Sequence, residues 1–452
     1  MQWDEKGKGM STAIETNASE KEPVGTPHSA TFISASRHLP KSAVSEATGL
    51  IGVVSLFCAT MGAAYFEVSL LQSIMMLLGL PAATMVASTI LLDKAHMRAS
   101  TGLDYGLARQ RSEVMEITVT KTIGLGATFL VIALAYQLIP TYEASKYELT
   151  RALSLVVFPL LWILSPIYIA FTTRHMVDPR DELWHFGKLV TLNYSAVDRQ
   201  KVKDHCRAWL VKGFFLAFMI SILPTNIHSM INADLSNFFS KPLPTVFFLI
   251  QLTFFVDVCI GTIGYLCTFK ALDSHIRTAN PYLSSWVAAL ICYPPFILIT
   301  SGGPLDYKSG TLDWTYWFEG MPLLLTLWGA AIVVLAVTYA WATVAFGIRF
   351  SNLTHRGIIT TGPFRYAKHP AYLSKNVMWW LMSVPFLSNL GTAAAFQSCI
   401  LLIGVNAVYY ARAKTEEKHL MTDVDYREYS EWIKANGLFA RVLSGRRKPH
   451  TR

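Results

Sequence analysis

The stretch PLLLTLWGAAIVVLAVTYAWATVAF, residues 322–346, carries no charged side chain. A helix of that length rises about 37 Å, more than the hydrocarbon core of a bilayer, about 30 Å. Working outward, nine further apolar segments occupy residues 49–66, 68–92, 122–140, 151–171, 209–224, 244–269, 283–299, 376–387 and 391–411. Segment 376–387 is too short to cross alone unless its helix begins near Pro370. The reading is an all-α polytopic transmembrane bundle of about ten spans. Composition agrees. Of 452 residues, 52% are apolar and only 15% charged, against about 25% charged in an ordinary soluble domain. The mean hydropathy is +0.35. A secreted disulfide scaffold, a nucleic-acid-binding domain and a disordered chain are excluded.

The net charge of +9 is a matter of topology. Residues 349–375 carry Arg349, Arg356, Arg365, Lys368 and Lys375 and no acid. Residues 433–452 carry Lys434, Arg441, Arg446, Arg447, Lys448 and Arg452, again without an acid. The loop at 301–321 instead holds Asp306, Asp313 and Glu319 against Lys308. Basic loops near Asp93 and Arg174, with five and seven basic residues, alternate with loops near Tyr142 and Ile231 that hold two and one. By the positive-inside rule both termini are expected in the cytoplasm. Residues 1–47 read as a disordered cytoplasmic tail, 48–345 as a bundle of about eight spans, 346–440 as a distinct C-terminal region with two spans, and 441–452 as a basic tail. The six cysteines form no CxxC pair and read as small buried residues.

Most of the first 345 residues read as membrane architecture. Asp257 lies inside an apolar span, where a carboxylate is costly unless paired. It is either functional or a partner for a hydroxyl or amide on a neighbouring helix. Trp328, Trp341, Trp379 and Trp380 are either a substrate-facing group or interfacial and packing residues. PRDELWHFGKL, 179–189, reads as an interfacial amphipathic helix with His185 at its surface. No GxGxxG after a strand, P-loop, HExxH or paired CxxC appears, so no metal site is expected.

The last 100 residues differ. They contain GPFRYAKHPAYLSKN at 362–376, RAKTEEKHL at 412–420 and DYREYSEWI at 425–433. Gly362-Pro363 signals a turn, and Pro370 suits the first turn of a helix. Reversal near 388–391 brings the last span back antiparallel. It delivers Arg412, Glu416 and Glu417 to the face that holds His369 and Tyr372. Arg412 and Glu416, four apart, share a helix side.

These elements resemble the C-terminal signature of the isoprenylcysteine carboxyl methyltransferase and phospholipid methyltransferase family of integral membrane enzymes, over about residues 349–439. The resemblance implies S-adenosylmethionine as cofactor, without a Rossmann domain, in a cytoplasm-facing pocket among the last helices. It implies His369, Pro370, Tyr372, Glu417 and Tyr429 as cofactor-binding residues, and Arg412 and Glu416 as catalytic ones. The tyrosine pair is Tyr426 and Tyr429. Lys368 stands where an arginine is usual, Ser374 where glycine is common, and Asp425 where glycine is frequent. The implied acceptor is a lipid or lipidated molecule entering from the bilayer; no nucleic-acid partner is implied. A sterol-reductase-type enzyme using NADPH resembles the chain in span count. KHPAY followed by an EE pair looks more like the methyltransferase branch. A non-enzymatic transporter or scaffold is the third reading.

Overall fold

The computed structural model of the chain describes residues 38–443 except 235, 237, 239 and 240. The expected tails at 1–37 and beyond 443 lie outside the described residues. Helices α1 (Glu46–Tyr65) and α2 (Leu70–Leu91) form a hairpin, as do α3 (Arg111–Leu138) and α4 (Glu148–His175). Then come α5 (Glu182–Val190), α6 (Arg199–Ile231), α7 (Pro242–Leu266), the strand β1 (Thr278–Ala279), α8 (Leu283–Leu290) and the single turn α9 (Trp314–Trp317). The chain continues with α10 (Pro322–Phe346), the strand β2 (Thr354–His355), α11 (Pro370–Ser383), α12 (Thr392–Leu420), α13 (Val424–Asn436) and α14 (Leu438–Leu443). Among the described residues, eight helices, α1 to α4, α6, α7, α10 and α12, are long and apolar enough to cross a membrane. The all-α polytopic class expected from the apolar runs holds.

Local chemistry explains the ends of these helices. The α1–α2 turn passes through Glu67 at φ 46° and closes with a reciprocal cap between Ser69 and Gln72. Asp181, Asp198 and Asp423 accept backbone N–H groups at the starts of α5, α6 and α13. Residues 38–47 of the expected tail are built into the fold. Ala43 N–H donates to Ile358 O at 2.8 Å, Thr360 Oγ1 donates to Pro40 O at 2.8 Å, and Glu46 opens α1.

Two of the ten apolar segments are not full helices. α11 starts at Pro370, and its 14 residues rise only about 21 Å. The segment expected as a span over 283–299 is helical only over Leu283–Leu290. The chain then continues irregularly along α12. Ser285 Oγ reaches Thr415 O near one end of α12, and Gly310 packs on Ala394 and Ser398 near the other. Exposed polar backbone is not tolerated in hydrocarbon. Here it is paired internally: Leu298 N–H to Ile291 O, Leu305 N–H to Leu298 O, and Gly302 N–H to the Asp306 carboxylate.

The expectation of six buried cysteines changes, while the amphipathic helix expected over 179–189 forms as α5 and packs on α3. Its Gly187 sits against the Thr120 backbone of α3, Trp184 is buried, and Asp198 N–H donates to His185 Nδ1. Of the six free cysteines, Cys259 and Cys267 are buried, but Cys58 and Cys206 are exposed. The apolar span around Cys58 turns that face outward.

The basic loops are tied to one another. Asp273, 1% exposed, lies 2.8 Å from Arg349, 3.3 Å from Arg277 and 3.8 Å from Arg98, and accepts from Ser100 Oγ at 2.8 Å. The three arginines come from the segments after α10, α7 and α2. Arg356 is also buried. It donates to Gly264 O and Cys267 O at the end of α7, and to Ser274, Ile348 and Phe350 carbonyls. It thereby satisfies carbonyls that a helix C-terminus leaves open. β1 and β2 pair antiparallel, Thr278 with His355 and Ala279 with Thr354. Gly264 permits this approach: a Cβ there would stand 2.7 Å from Phe350 O.

This knot generates three stability predictions. Asp273→Asn leaves Arg349 buried without its counter-ion, at a cost of about 3–5 kcal/mol, read as a lowered Tm of the detergent-purified protein. Burial alone would raise the Asp273 carboxyl pKa, but Arg349, then Ser100 and Arg277, outweigh it and hold it below its ordinary value. Its contribution is therefore complete above the ordinary aspartate range and is lost as pH falls through the depressed value. A Tm-against-pH series should show this acid loss in the parent and not in Asp273→Asn. Gly264→Ala should cost about 1–3 kcal/mol by overpacking; an unchanged Tm would contradict the close approach.

Candidate active site

A cavity of about 370 Å³ opens among α6, α7, α10, α11, α12, α13 and the 349–359 segment, within the range usual for small-molecule sites, about 300–1,000 Å³. The 362–365 turn and Pro370 at the first position of α11 set His369 immediately before that helix. His369 and Tyr372 stack, with ring centroids 5.4 Å apart and planes 4° apart. α12 runs antiparallel to α11 and presents Arg412 and Glu416 one turn apart. The Tyr372 hydroxyl donates to Glu416 Oε1 at 2.5 Å. Arg412 Nε lies 3.4 Å from the same oxygen. The Arg412 guanidinium, 3% exposed, stands over two ring faces, Tyr293 at 5.6 Å and Tyr372 at 5.1 Å.

Glu417 is placed differently. It does not line the cavity but holds the back of the site. His369 Nε2 is 3.2 Å from its Oε1, and Lys414 and Lys368 lie 3.2 and 3.8 Å from its Oε2. Lys368 donates to Ser430 on α13. Helix α13 roofs the cavity with Tyr426 and Tyr429. The Tyr429 hydroxyl donates to Phe364 O at 2.7 Å, clamping the turn that leads into α11. The Tyr426 hydroxyl is buried without a hydrogen-bond partner among the described residues. Burial, then the Glu417 charge, raise the Tyr426 phenol above its ordinary pKa, so it remains a donor.

Of the expected residues, His369, Pro370, Tyr372, Arg412, Glu416 and Tyr429 therefore share one cavity wall, with Glu417 directly behind. Ser374 bonds Pro370 O within its own helix, away from the cavity, and Asp425 is exposed. Both departures at glycine positions leave the cavity itself unfilled.

The structure adds residues that the motif did not reveal. Asn352 Oδ1 accepts from Arg412 Nη2 at 2.5 Å, and Asn352 is itself held by the Tyr265 hydroxyl of α7. Tyr293 comes from the irregular crossing beside α12. The inner wall is built by helices before the motif: Phe218, Met219 and Ile222 from α6, and Phe254, Asp257 and Val258 from α7. Asp257 accepts from Tyr339 at 2.8 Å and from Thr343, both on α10. It is thus hydroxyl-partnered and cavity-lining at once. Lys375 lines the same chamber, its ammonium 5.2 Å from the Tyr339 ring and 5.4 Å from Trp379. Spacing along the sequence carries no signal for Asn352 or Tyr293. Asp257 and Lys375 were detectable as charges beside or within apolar runs.

Trp328, Trp341, Trp379 and Trp380 do not line the cavity. The indoles of Trp328 and Trp380 donate to Leu381 O and Asn406 Oδ1, as packing residues do. Among the described residues no group of three or more His, Cys, Asp or Glu side chains is arranged for a metal ion.

The cavity lining offers one carboxylate at Glu416, cations at Arg412, Lys368 and Lys375, the His369 imidazole, and the Tyr426 phenol beside aromatic faces, a set that can meet a ligand carrying both signs of charge. No curated protein and no solved structure matches the chain. Residues 322–422, the segment running from α10 through α12 that carries His369, Tyr372, Arg412 and Glu416, match the isoprenylcysteine carboxyl methyltransferase (ICMT) family.

Proposed function

We propose that the protein is an integral membrane methyltransferase that uses S-adenosylmethionine and acts on a lipid or lipidated acceptor at its basic, cytoplasmic face. The observation that carries this reading is the single cavity wall formed by His369, Tyr372, Arg412 and Glu416 inside the family-matched segment. S-adenosylmethionine supplies a methyl group on a sulfonium, which transfers by in-line displacement without a metal.

The chain's own task is then positioning and charge management. The Glu416 carboxylate is the group placed to hold an ammonium. Arg412, fixed by Asn352 and Glu416, offers a guanidinium to a carboxylate or an acidic acceptor. Tyr372, held between the His369 ring and the Arg412 guanidinium, orients the Glu416 carboxylate through its hydroxyl. Glu417 acts through His369 and is a positioning residue. The Phe218, Met219, Ile222 and Phe254 wall excludes water and suits the apolar part of an acceptor. Helices α6 and α7 accordingly serve as one wall of the acceptor chamber.

The detergent-purified protein should bind S-adenosylmethionine and S-adenosylhomocysteine in calorimetric titrations, and NADPH not. Tyr372→Ala and Glu416→Gln should each weaken adenosyl binding by about tenfold. Glu417→Gln should weaken it less, because Glu417 acts from behind His369 and does not line the cavity. Binding of NADPH alone would replace this reading with the reductase; unchanged adenosyl binding in both Tyr372→Ala and Glu416→Gln would remove the site assignment.

A further inference from the structure

A second cavity, of about 220 Å³, lies on the basic face where α3, α4, α6 and the 268–279 segment meet. None of its lining residues falls in the family-matched segment. Four cations line it: Lys121, Lys212, Lys270 and Arg277. Lys121 is 3.0 Å from Asp181, and Arg277 is 3.3 Å from Asp273. The ammonium groups of Lys212 and Lys270 have no hydrogen bond and no ion pair among the described residues; that of Lys212 stands 4.2 Å from the centroid of the Trp209 ring.

The acids of this cavity are largely engaged elsewhere. Asp181 also accepts from Trp184 N–H at the start of α5, and Asp204 pairs with Arg207 at 2.9 Å. Glu182 faces Lys121. His205 is bonded to Thr128. His275 Nδ1 and Arg277 Nε are buried with no hydrogen-bond partner among the described residues. Burial, and after it the charge on Lys270, push the His275 imidazole down to about 3. The imidazole is therefore neutral, and the unmatched charge resides on the two lysines.

Withdrawing an ammonium from water without an acceptor costs several kcal/mol. The cavity has space for roughly seven waters, which would solvate the lysines but leave their charge unbalanced. An anion with several acceptor oxygens does both, and several donors around one space suit phosphate better than a single carboxylate. Lys121 immediately precedes the apolar part of α3, and Lys212 lies one turn inside that of α6. Both lysines thus stand where the apolar run of their helix begins, at the boundary with the basic loops.

We propose that this second cavity binds a phosphate group, carried by a lipid headgroup or free in solution. The full-length protein in detergent is titrated with a short-chain phosphatidate, the corresponding diacylglycerol and inorganic phosphate, with heat of binding as the readout. Phosphatidate should bind and diacylglycerol should not. Lys212→Met and Lys270→Met should each weaken binding about tenfold, and Lys212→Arg should preserve it. Size-exclusion profiles identify which variants remain folded. Competition by inorganic phosphate at equal strength assigns the site to free phosphate; binding of phosphatidate alone assigns it to a headgroup. Equal binding of diacylglycerol, no binding of either phosphate probe to the parent protein, or undiminished binding in both methionine variants would overturn the proposal. Its outcome is independent of whether adenosyl compounds bind the first cavity.

Discussion

One buried carboxylate holds the basic side of this molecule together. Asp273 gathers Arg349, Arg277 and Arg98 from three loops that are far apart in sequence. Arg349 and Asp273 are both almost wholly withdrawn from solvent, so neither could be there without the other. Seven residues on, Arg356 caps the end of α7 through backbone carbonyls. Together these contacts and the β1–β2 pair fix the segment 349–359 against the N-terminal bundle. That segment is one wall of the main cavity, and it carries Asn352 to Arg412. The site therefore depends on the N-terminal helices even though its signature lies in the C-terminal region.

The irregular crossing beside α12 follows the same logic. A bilayer tolerates non-helical backbone only where protein covers it or a cavity borders it. Residues 291–313 are bonded internally and lie along α12, and their Tyr293 reaches the guanidinium of Arg412. Departure from regular helix thus occurs where it brings an aromatic face into the site. α11 stays short for a related reason: it begins at Pro370, at the level of Glu416 and Glu417, rather than outside the bundle.

The charges at the site are arranged in two ranks. Glu416, Arg412 and Tyr372 face the cavity and satisfy one another in a compact triad. Glu417, Lys414 and Ser430 stand behind and, with Lys368 at the cavity edge, hold His369 and the roof helix. Adjacent glutamates on a helix point about 100° apart, so one faces inward and the other backs it. Tyr426 and Tyr429 divide in the same way, the first keeping a free hydroxyl and the second clamping a turn.

Much of this was legible in the sequence. Charge-free runs such as 322–346 specify membrane helices because hydrocarbon admits only internally bonded backbone. The Lys and Arg distribution specified which loops share a face. The motif spacing, with Pro370 opening a helix and Arg412 and Glu416 one turn apart, brought His369, Tyr372, Arg412 and Glu416 together. Hydropathy could not separate a full span at 283–299 from a short helix continued irregularly, because both are equally apolar. Nor could charge counting show that Arg349 and Arg356 are buried structural groups, since their partners are an aspartate 76 residues away and backbone carbonyls. Which glutamate faces the cavity, and that Asn352, Tyr293 and Asp257 border it, was decided only by tertiary packing. Those contacts join residues with no periodic relation in the chain, and side-chain chemistry alone does not select among the many partners of the right type.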